Sequence, residues 1–285
     1  MSRVLYFFVF DLNAHLKKIS PREYRQQRLG RAYALCARPI EILTTKVSLG
    51  VAMKRLVFSR VRSFFVLLIC CMCTSSSADK VGAPNLLISL PDKDLGGFQW
   101  INEPDYSFSK DGVLTVTSGP QTDFFIDPQD GKSSASAPVL YREVSGDFVA
   151  IALVQPDLTH TWNAASIMVF IDDDNWIKFA FENSDATGNS IVSVVTRGVS
   201  DDANGVRLND SDRIWLKLVR KGDSYAMHWS EDGQTYQMAR LSKMPSADIV
   251  KVGLEAQSPL EYPATHSFHH FSLETKTVGN LRTGL

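Results

Sequence analysis

Charged and aromatic side chains alternate along residues 176–182, in a pattern suited to recognising a polar ligand. In an extended chain, successive side chains point to opposite faces. Trp176, Lys178 and Glu182 therefore share one face, and the isoleucine and two phenylalanines of the segment share the other. The apolar face predicts a side that packs into a core. The polar face offers a flat ring on which a sugar could stack, although ordinary packing of Trp176 against a sheet is the alternative.

Three more charged residues are candidates for the same face from other strands. In residues 191–197 we expect Val194 to face the core, which would turn Arg197 outward beside Lys178. A half-buried guanidinium is unfavourable unless a carboxylate meets it. We therefore predict that Arg197 and Glu103 lie within about 4–6 Å of each other, or are bridged through Asp123 or Lys178.

Glycoside hydrolysis requires two carboxyl groups a few ångströms apart. The nearest run, residues 182–185, lacks the alternate-position spacing that would place two carboxylates side by side on one strand face. A structural ion network, glycan binding and catalysis by carboxylates from separate strands all stay open, and no catalytic residue is assigned. The candidate ligand-binding residues are Glu103, Asp123, Trp176, Lys178, Glu182 and Arg197.

The acidic and histidine-containing segments do not predict a metal site. Residues 172–175 lack the spacing and the glycine of a calcium loop and predict a hairpin turn instead. Residues 200–205 likewise predict a turn. His266 and His270 share a face of an extended segment but would be about 13 Å apart, too far for one ion. We therefore predict neither a metal nor another cofactor.

The elements that must position these residues are short β-strands. Asp-Gly and polar turns separate the apolar runs, and no stretch has a sustained helical period, which is typical of a sandwich or barrel. The predicted strands are 113–117, 148–154, 166–171, 176–182, 190–197, 213–219, 224–230, 235–241, 249–256 and 266–274.

Several strings along the chain resemble those of one domain family. They are W-I-N-E-P at 100–104, T-D-F-F at 122–125, N-W-I-K at 175–178, S-V-V-T-R at 193–197 and S-E-D-G at 230–233. Their order is similar to that of a family of unknown function named after the yeast regulation of enolase protein, of the concanavalin A-like lectin/glucanase superfamily. Phe125 stands where the family usually has Trp. The resemblance implies an all-β, concanavalin A-like jelly-roll sandwich of two antiparallel sheets, one convex and one concave. It implies no settled activity, because this fold serves lectins, glycan-binding modules and glycanases alike.

Charge divides the chain into two parts. Residues 1–78 contain 13 Lys/Arg and 3 Asp/Glu, whereas residues 79–285 contain 17 and 28, a net charge of −11. An acidic globular part argues against nucleic acid as a partner, because phosphate binding needs a basic surface. All four cysteines lie before residue 79, so the globular part has no disulfide and no thiolate metal site.

The N-terminal part has the order of a signal peptide. Met53 opens a positively charged stretch, the apolar run 64–73 follows, and small residues continue to Ala78. Ser76 and Ala78 fit the −3 and −1 positions of a cleavage site, which predicts cleavage before Asp79. The apolar run is shorter than the roughly 20 residues that span a bilayer.

These patterns predict one folded domain at 79–285, with its core at about 86–275, after a signal peptide at 53–78. We interpret residues 1–52 as an artefactual or non-globular prefix, with an unusually long signal as the alternative. Lipid attachment at Cys73 and an uncleaved anchor are further alternatives to a cleaved signal.

The sequence thus predicts a secreted or periplasmic lectin-like module that binds a polysaccharide or other glycan through its exposed concave sheet. No stable membrane insertion is expected after signal cleavage. A glycan-active hydrolase and a non-catalytic protein-interaction domain are the alternative functions. A concave face filled by the domain's own loops would favour the interaction domain.

Overall fold

The structure, a computed structural model, describes residues 83–90 and 95–285. The predicted prefix 1–52 and signal peptide 53–78 lie outside the described residues. Within the described part no helix is long and apolar enough to span a bilayer. A short 3₁₀ helix at Leu86–Ser89 precedes the strands. The strands are β1 (Gln99–Ile101), β2 (Asp105–Phe108), β3 (Leu114–Ser118), β4 (Phe124–Ile126), β5 (Ser133–Ala135), β6 (Val139–Ser145), β7 (Phe148–Gln155), β8 (Ala164–Asp172), β9 (Asn175–Ser184), β10 (Gly188–Arg197), β11 (Ser200–Arg207), β12 (Ile214–Lys221), β13 (Ser224–Ser230), β14 (Gln237–Lys243), β15 (Ile249–Gln257) and β16 (Ala264–Thr275).

Two large antiparallel sheets form a sandwich, which confirms the predicted fold class. Sheet A has the strand order β1-β6-β15-β8-β9-β10-β11, and sheet B has the order β14-β13-β12-β7-β16-β3-β2. Strands β4 and β5 form a separate hairpin. The predicted turn at 172–175 joins β8 to β9, and the predicted Asp-Gly turn at 231–234 lies between β13 and β14.

The main core lies between the two sheets and follows the alternation of the strands. Ile177, Phe179 and Phe181 of β9 are fully buried in the same apolar cluster as Leu216 and Leu218 of β12. Full burial of one such side chain stabilises the fold by roughly 1.5–3 kcal/mol. Trp176, Lys178 and Glu182 therefore point to the other side of sheet A, which we call the outer face.

The β4–β5 hairpin covers part of this outer face with a second apolar cluster. Phe124 of the hairpin packs edge-on against Trp176, with ring centroids 5.8 Å apart. The Ile126 amide donates to the Ser200 hydroxyl at 2.9 Å, which ties the hairpin to the start of β11. Strand β9 is consequently buried on both faces, and one end of the outer face is filled by the domain's own chain.

Residues 200–205 belong to an edge strand, so the prediction of a turn there was wrong. They form most of β11, which pairs with β10 alone, and the turn lies at Gly198, whose φ is 73°. An edge strand keeps one side of its backbone and most side chains in solvent. Its polar composition therefore resembles that of a turn.

Candidate functional site

A pocket opens on the outer face of sheet A beside the β4–β5 hairpin. Its volume is about 440 Å³, within the size range of small-ligand sites. Strands β9, β10, β11 and β15, the hairpin and the β7–β8 loop all contribute to its wall. The lining residues are Asp123, Phe125, Asp127, Gln129, Trp162, Lys178, Glu182, Asp185, Val192, Val194, Asp202, Gln257 and Pro259.

The register of sheet A aligns the polar residues of the wall. Lys178 lies opposite Val194, and Val194 lies opposite Asp202 on the edge strand. Glu182 lies opposite Ala164 of β8, which in turn lies opposite Gln257 of β15. Side chains that share a face in two such rows can converge although they come from distant parts of the sequence.

Lys178 is a buried cation at the centre of the wall. Its side chain is 3% exposed, and Nζ donates to Asp123 Oδ1 at 2.9 Å and to Gln257 Oε1 at 2.5 Å. Burial by itself lowers the pKa of Lys178, but the charges of Asp123, Glu255 and Glu182 outweigh it, and the pKa is raised. The lysine is therefore charged when the domain is folded. Asp123 is thereby paired with a buried cation.

Glu182 is buried without a direct partner. The residue is 6% exposed, and its carboxyl forms no hydrogen bond or ion pair with the described residues. Burial raises its pKa to about 8; the charge of Lys178 opposes the shift, and the charges of Asp202, Asp123 and Glu255 add to it. At neutral pH the carboxyl is consequently protonated, and its O–H is a hydrogen-bond donor on the pocket wall.

Glu255 is a second buried carboxyl near Lys178. It is completely buried and accepts a hydrogen bond of 2.5 Å from the Ser166 hydroxyl through Oε2, whereas Oε1 has no partner within the described part of the chain. Burial raises the pKa of Glu255 to about 7, against the opposing effects of Lys178 and Ser166. Two of the three acidic groups around the lysine thus hold protons more strongly than usual.

Trp162 presents an exposed indole to the pocket from the β7–β8 loop. It is 40% exposed, and its φ of 65° is a left-handed conformation that is unfavourable for a bulky residue. Two hydrogen bonds hold this backbone. Its amide donates to the Asn183 carbonyl at 2.7 Å, and its carbonyl accepts from Gln257 Nε2 at 2.8 Å. The amide side chain of Gln257 therefore connects the Trp162 backbone to Lys178.

The structure brings together three of the six candidate residues, Asp123, Lys178 and Glu182. Trp176 shares their face but is only 1% exposed, because Phe124 covers it. It is therefore not an open platform, contrary to the prediction. Glu103 lies in the β1–β2 loop, is exposed and forms no ion pair with the residues that the structure describes.

Arg197 does not join this site, so the predicted network of Arg197 with Glu103 was wrong. Val195 faces the core between the sheets, and Val194 lines the pocket. The core-facing positions of β10 are therefore shifted by one residue from those predicted. Arg197 instead donates through Nη1 to the Lys243 carbonyl at 2.9 Å, and its Nη2 lies 3.9 Å from Asp201 Oδ2.

The sequence interpretation missed the other pocket residues. Asp202 was assigned to a turn, and Gln257 and Trp162 were not considered, because their positions depend on long-range pairing. The sequence did contain an indication for Trp162. It is a large aromatic residue in the loop between two predicted strands, where it cannot pack as part of a sheet. None of the carboxylate or histidine groups in the described region is arranged to hold a metal ion.

Comparison with known proteins identifies the family of this chain. Residues 100–276 match the model of a family described as "Protein of unknown function (DUF1349)". The chain belongs to this family. Regulation of enolase protein 1 of Saccharomyces cerevisiae (strain ATCC 204508 / S288c) is 29% identical over 187 residues, which are 66% of this chain and 94% of that protein. The resemblance inferred from the motifs is thereby confirmed.

Solved structures share the sandwich of the DUF1349 chain. A functionally unknown protein from Saccharomyces cerevisiae has a TM-score of 0.60 at 28% identity and covers 64% of this chain and 98% of its own. The GH43 BlXynB protein from Bacillus licheniformis has a TM-score of 0.53 at 18% identity, over 70% of this chain and 40% of that one. At that identity the second likeness shows the fold alone.

Proposed function

We propose that the DUF1349 domain of this chain is a carbohydrate-binding module, with its site in the pocket on the outer face of sheet A. The observation that carries the proposal is the exposed ring of Trp162, held at a φ of 65° beside a buried Glu182 that has no hydrogen-bond partner. Strain of this kind is found where function requires a side chain in a fixed place. The fold shared with GH43 BlXynB does not determine the function, and the pocket residues support the proposal instead.

The pocket offers the two kinds of contact that a sugar needs. The indole of Trp162 is a flat apolar surface for the C–H face of a sugar ring. Glu182, Gln257 and Asp202 add donors and acceptors to the same pocket. Sugar hydroxyl groups donate and accept hydrogen bonds, and fixed polar groups beside an aromatic ring orient such a ligand.

A titration of the full chain with a panel of neutral oligosaccharides tests this proposal. Trp162→Ala is expected to weaken binding at least tenfold, about 1.4 kcal/mol. Leu241→Ala is the matched control, because Leu241 is also 40% exposed but lies on the edge strand of sheet B. No binding by the unaltered chain, or an equal effect of both substitutions, would refute the proposed site.

Glycoside hydrolysis is the second candidate function. It is favoured by the Glu182 carboxyl, which lines the pocket and whose pKa is raised to about 8 by burial. A carboxyl that keeps its proton at neutral pH can act as a general acid. Release of reducing sugar by the unaltered chain but not by Glu182→Gln would support hydrolysis.

We further propose that the domain acts outside the cytoplasm. The order of charged, apolar and small residues in 53–78 supports export. Fractionation of cells that produce the full chain, followed by N-terminal sequencing, tests this. A mature protein that begins at Asp79 is expected, whereas an uncleaved cytoplasmic product would contradict the proposal.

A further inference from the structure

The pocket wall carries far more negative than positive charge. Four aspartates line it, together with the protonated carboxyl of Glu182, and Lys178 is the only basic residue among the described lining residues. Lys178 already donates to Asp123 and Gln257 and is almost fully buried. The lysine is therefore poorly placed to neutralise an anionic ligand, and a negatively charged sugar would meet like charges on several sides.

Glu182 supplies an independent indication of what the pocket accepts. The residue is more than nine-tenths buried and lines the pocket, and its carboxyl has no hydrogen bond or ion pair within the described chain. The carboxyl oxygens are not sealed in the core but reach the pocket, so a ligand group can pair with them. Asp185 and Asp202 are exposed carboxylates of the same wall, so a ligand cation would meet three acidic groups.

We infer that the pocket selects glycans whose sugars carry a free ammonium group and discriminates against uronic acids. The inference rests on the proposed glycan-binding function and specifies its ligand class. An ammonium group has three donors and no acceptor, which complements the carboxyl oxygens that Glu182, Asp185 and Asp202 present to the pocket. Charge-assisted hydrogen bonds of this kind are stronger than those between neutral groups.

Binding of such a ligand is coupled to loss of a proton. In the free domain the Glu182 carboxyl holds a proton at neutral pH, because burial raises its pKa to about 8. An ammonium group placed beside it favours the ionised carboxylate and lowers that pKa. The charged and titratable groups that act on Glu182 are Lys178 on its own strand, Asp123 before β4, Asp202 on β11 and Glu255 on β15.

Isothermal titration calorimetry of the full chain at pH 7, in two buffers of different ionisation enthalpy, tests the inference. The probes are a β-1,4-linked glucosamine oligomer, its N-acetylated counterpart and an oligogalacturonate. We expect the glucosamine oligomer to bind at least tenfold more tightly than the N-acetylated one. The unaltered chain should release close to one proton more than Glu182→Gln does, because the uptake of protons by partly neutral sugar amines is common to both. The oligogalacturonate is expected not to bind.

Three variants distinguish an effect of the pocket carboxyl groups from an effect of the domain's overall negative charge. Glu182→Gln should abolish both the preference and the extra proton release, and Asp202→Asn, at an exposed position, should reduce the preference without affecting folding. Glu103→Gln makes the same chemical change outside the pocket and should alter neither. Equal effects of Glu182→Gln and Glu103→Gln would overturn the inference.

The two proposals fail in different ways. If the N-acetylated oligomer binds as tightly as the glucosamine oligomer, the amino-sugar inference is overturned and the proposed glycan-binding function stands. If neither oligomer binds and the neutral panel also fails, the proposed function is refuted, and the ligand class falls with it.

Discussion

Replacing Glu182 with glutamine should stabilise the domain at neutral pH but not at acidic pH. The pKa of Glu182 is raised from 4.5 to about 8 on folding, chiefly by burial. Between these values the folded state binds a proton that the unfolded state has lost, so stability falls as pH rises through this window. Glutamine resembles the protonated acid in shape and does not titrate, so this part of the pH dependence disappears in the variant.

The size of the effect follows from the two pKa values. At pH 7 the unfolded carboxyl is about 2.5 pH units above its pKa of 4.5, while the folded carboxyl is mostly protonated. At about 1.4 kcal/mol per unit, this corresponds to about 3 kcal/mol of lost stability in the unaltered chain. At pH 4 the same calculation gives a difference near zero.

Urea unfolding of the full chain at pH 4, 5, 6, 7 and 8 measures this effect. The free energy of unfolding of Glu182→Gln should exceed that of the unaltered chain by a margin that grows with pH. Glu103→Gln is the matched control, because Glu103 is exposed and has no ion pair within the described residues. A difference for Glu182→Gln that is the same at pH 4 and pH 7 would refute the assignment of a buried, protonated carboxyl.

Three further predictions concern stability elsewhere in the domain. Trp176→Ala should lower the free energy of unfolding by about 3–5 kcal/mol, because it leaves a cavity beneath the β4–β5 hairpin, whereas Trp162→Ala should lower it much less in the same urea titration. Burial, with a smaller effect of Lys217, lowers the pKa of His228 to about 4. Because the unfolded state gains a proton first, stability should fall as pH drops from about 6.5 to 4, and His228→Gln should lose less stability than the unaltered chain across that range. The loss that remains comes from His266, whose pKa burial also lowers to about 4. Gly253→Ala should abolish cooperative thermal unfolding, since its Cβ would lie 1.8 Å from the Leu140 carbonyl oxygen, whereas Gly119→Ala, with its nearest atom at 4.0 Å, should melt normally.

The sequence predicted the fold because local patterns and the family motifs agreed. The turns at 172–175 and 231–234 and the apolar face of β9 depend on neighbouring residues alone, and the structure contains all three. Lys178 and Glu182 were placed on one face correctly for the same reason. The charged half of the site was therefore partly visible from alternation within a single strand.

Alternation could not orient β10, because apolar residues occupy both of its faces. Ile191 and Val195 belong to the core between the sheets, whereas Val192 and Val194 belong to the cluster under the β4–β5 hairpin. A strand buried on both sides lacks the polar positions that reveal which side faces water. The pattern could not show whether Val194 or Val195 faces the core. Because the prediction took Val194, it placed Arg197 on the wrong face of the sheet.

The remaining pocket residues depend on contacts between segments far apart in the sequence. Lys178 reaches Asp123 across 55 residues and Gln257 across 79, and Gln257 reaches the Trp162 carbonyl across 95. Strand pairing in sheet A creates these contacts, and no local period encodes strand order. Trp162 and Gln257 consequently became candidates only when the register of β8, β9 and β15 was known.

The polar network on sheet A is difficult to explain by stability alone. Burying Lys178 with Glu182 and Glu255 removes three ionisable groups from water, and apolar side chains of similar volume often stabilise such positions as well or better. The network is also incompletely satisfied, because Glu182 has no hydrogen bond and Glu255 Oε1 has no partner within the described chain. Sequences depart from internally consistent packing chiefly at functional sites. The unpaired carboxyl therefore has a physical explanation if a ligand completes it, and the strained Trp162 in the same pocket supports the same conclusion.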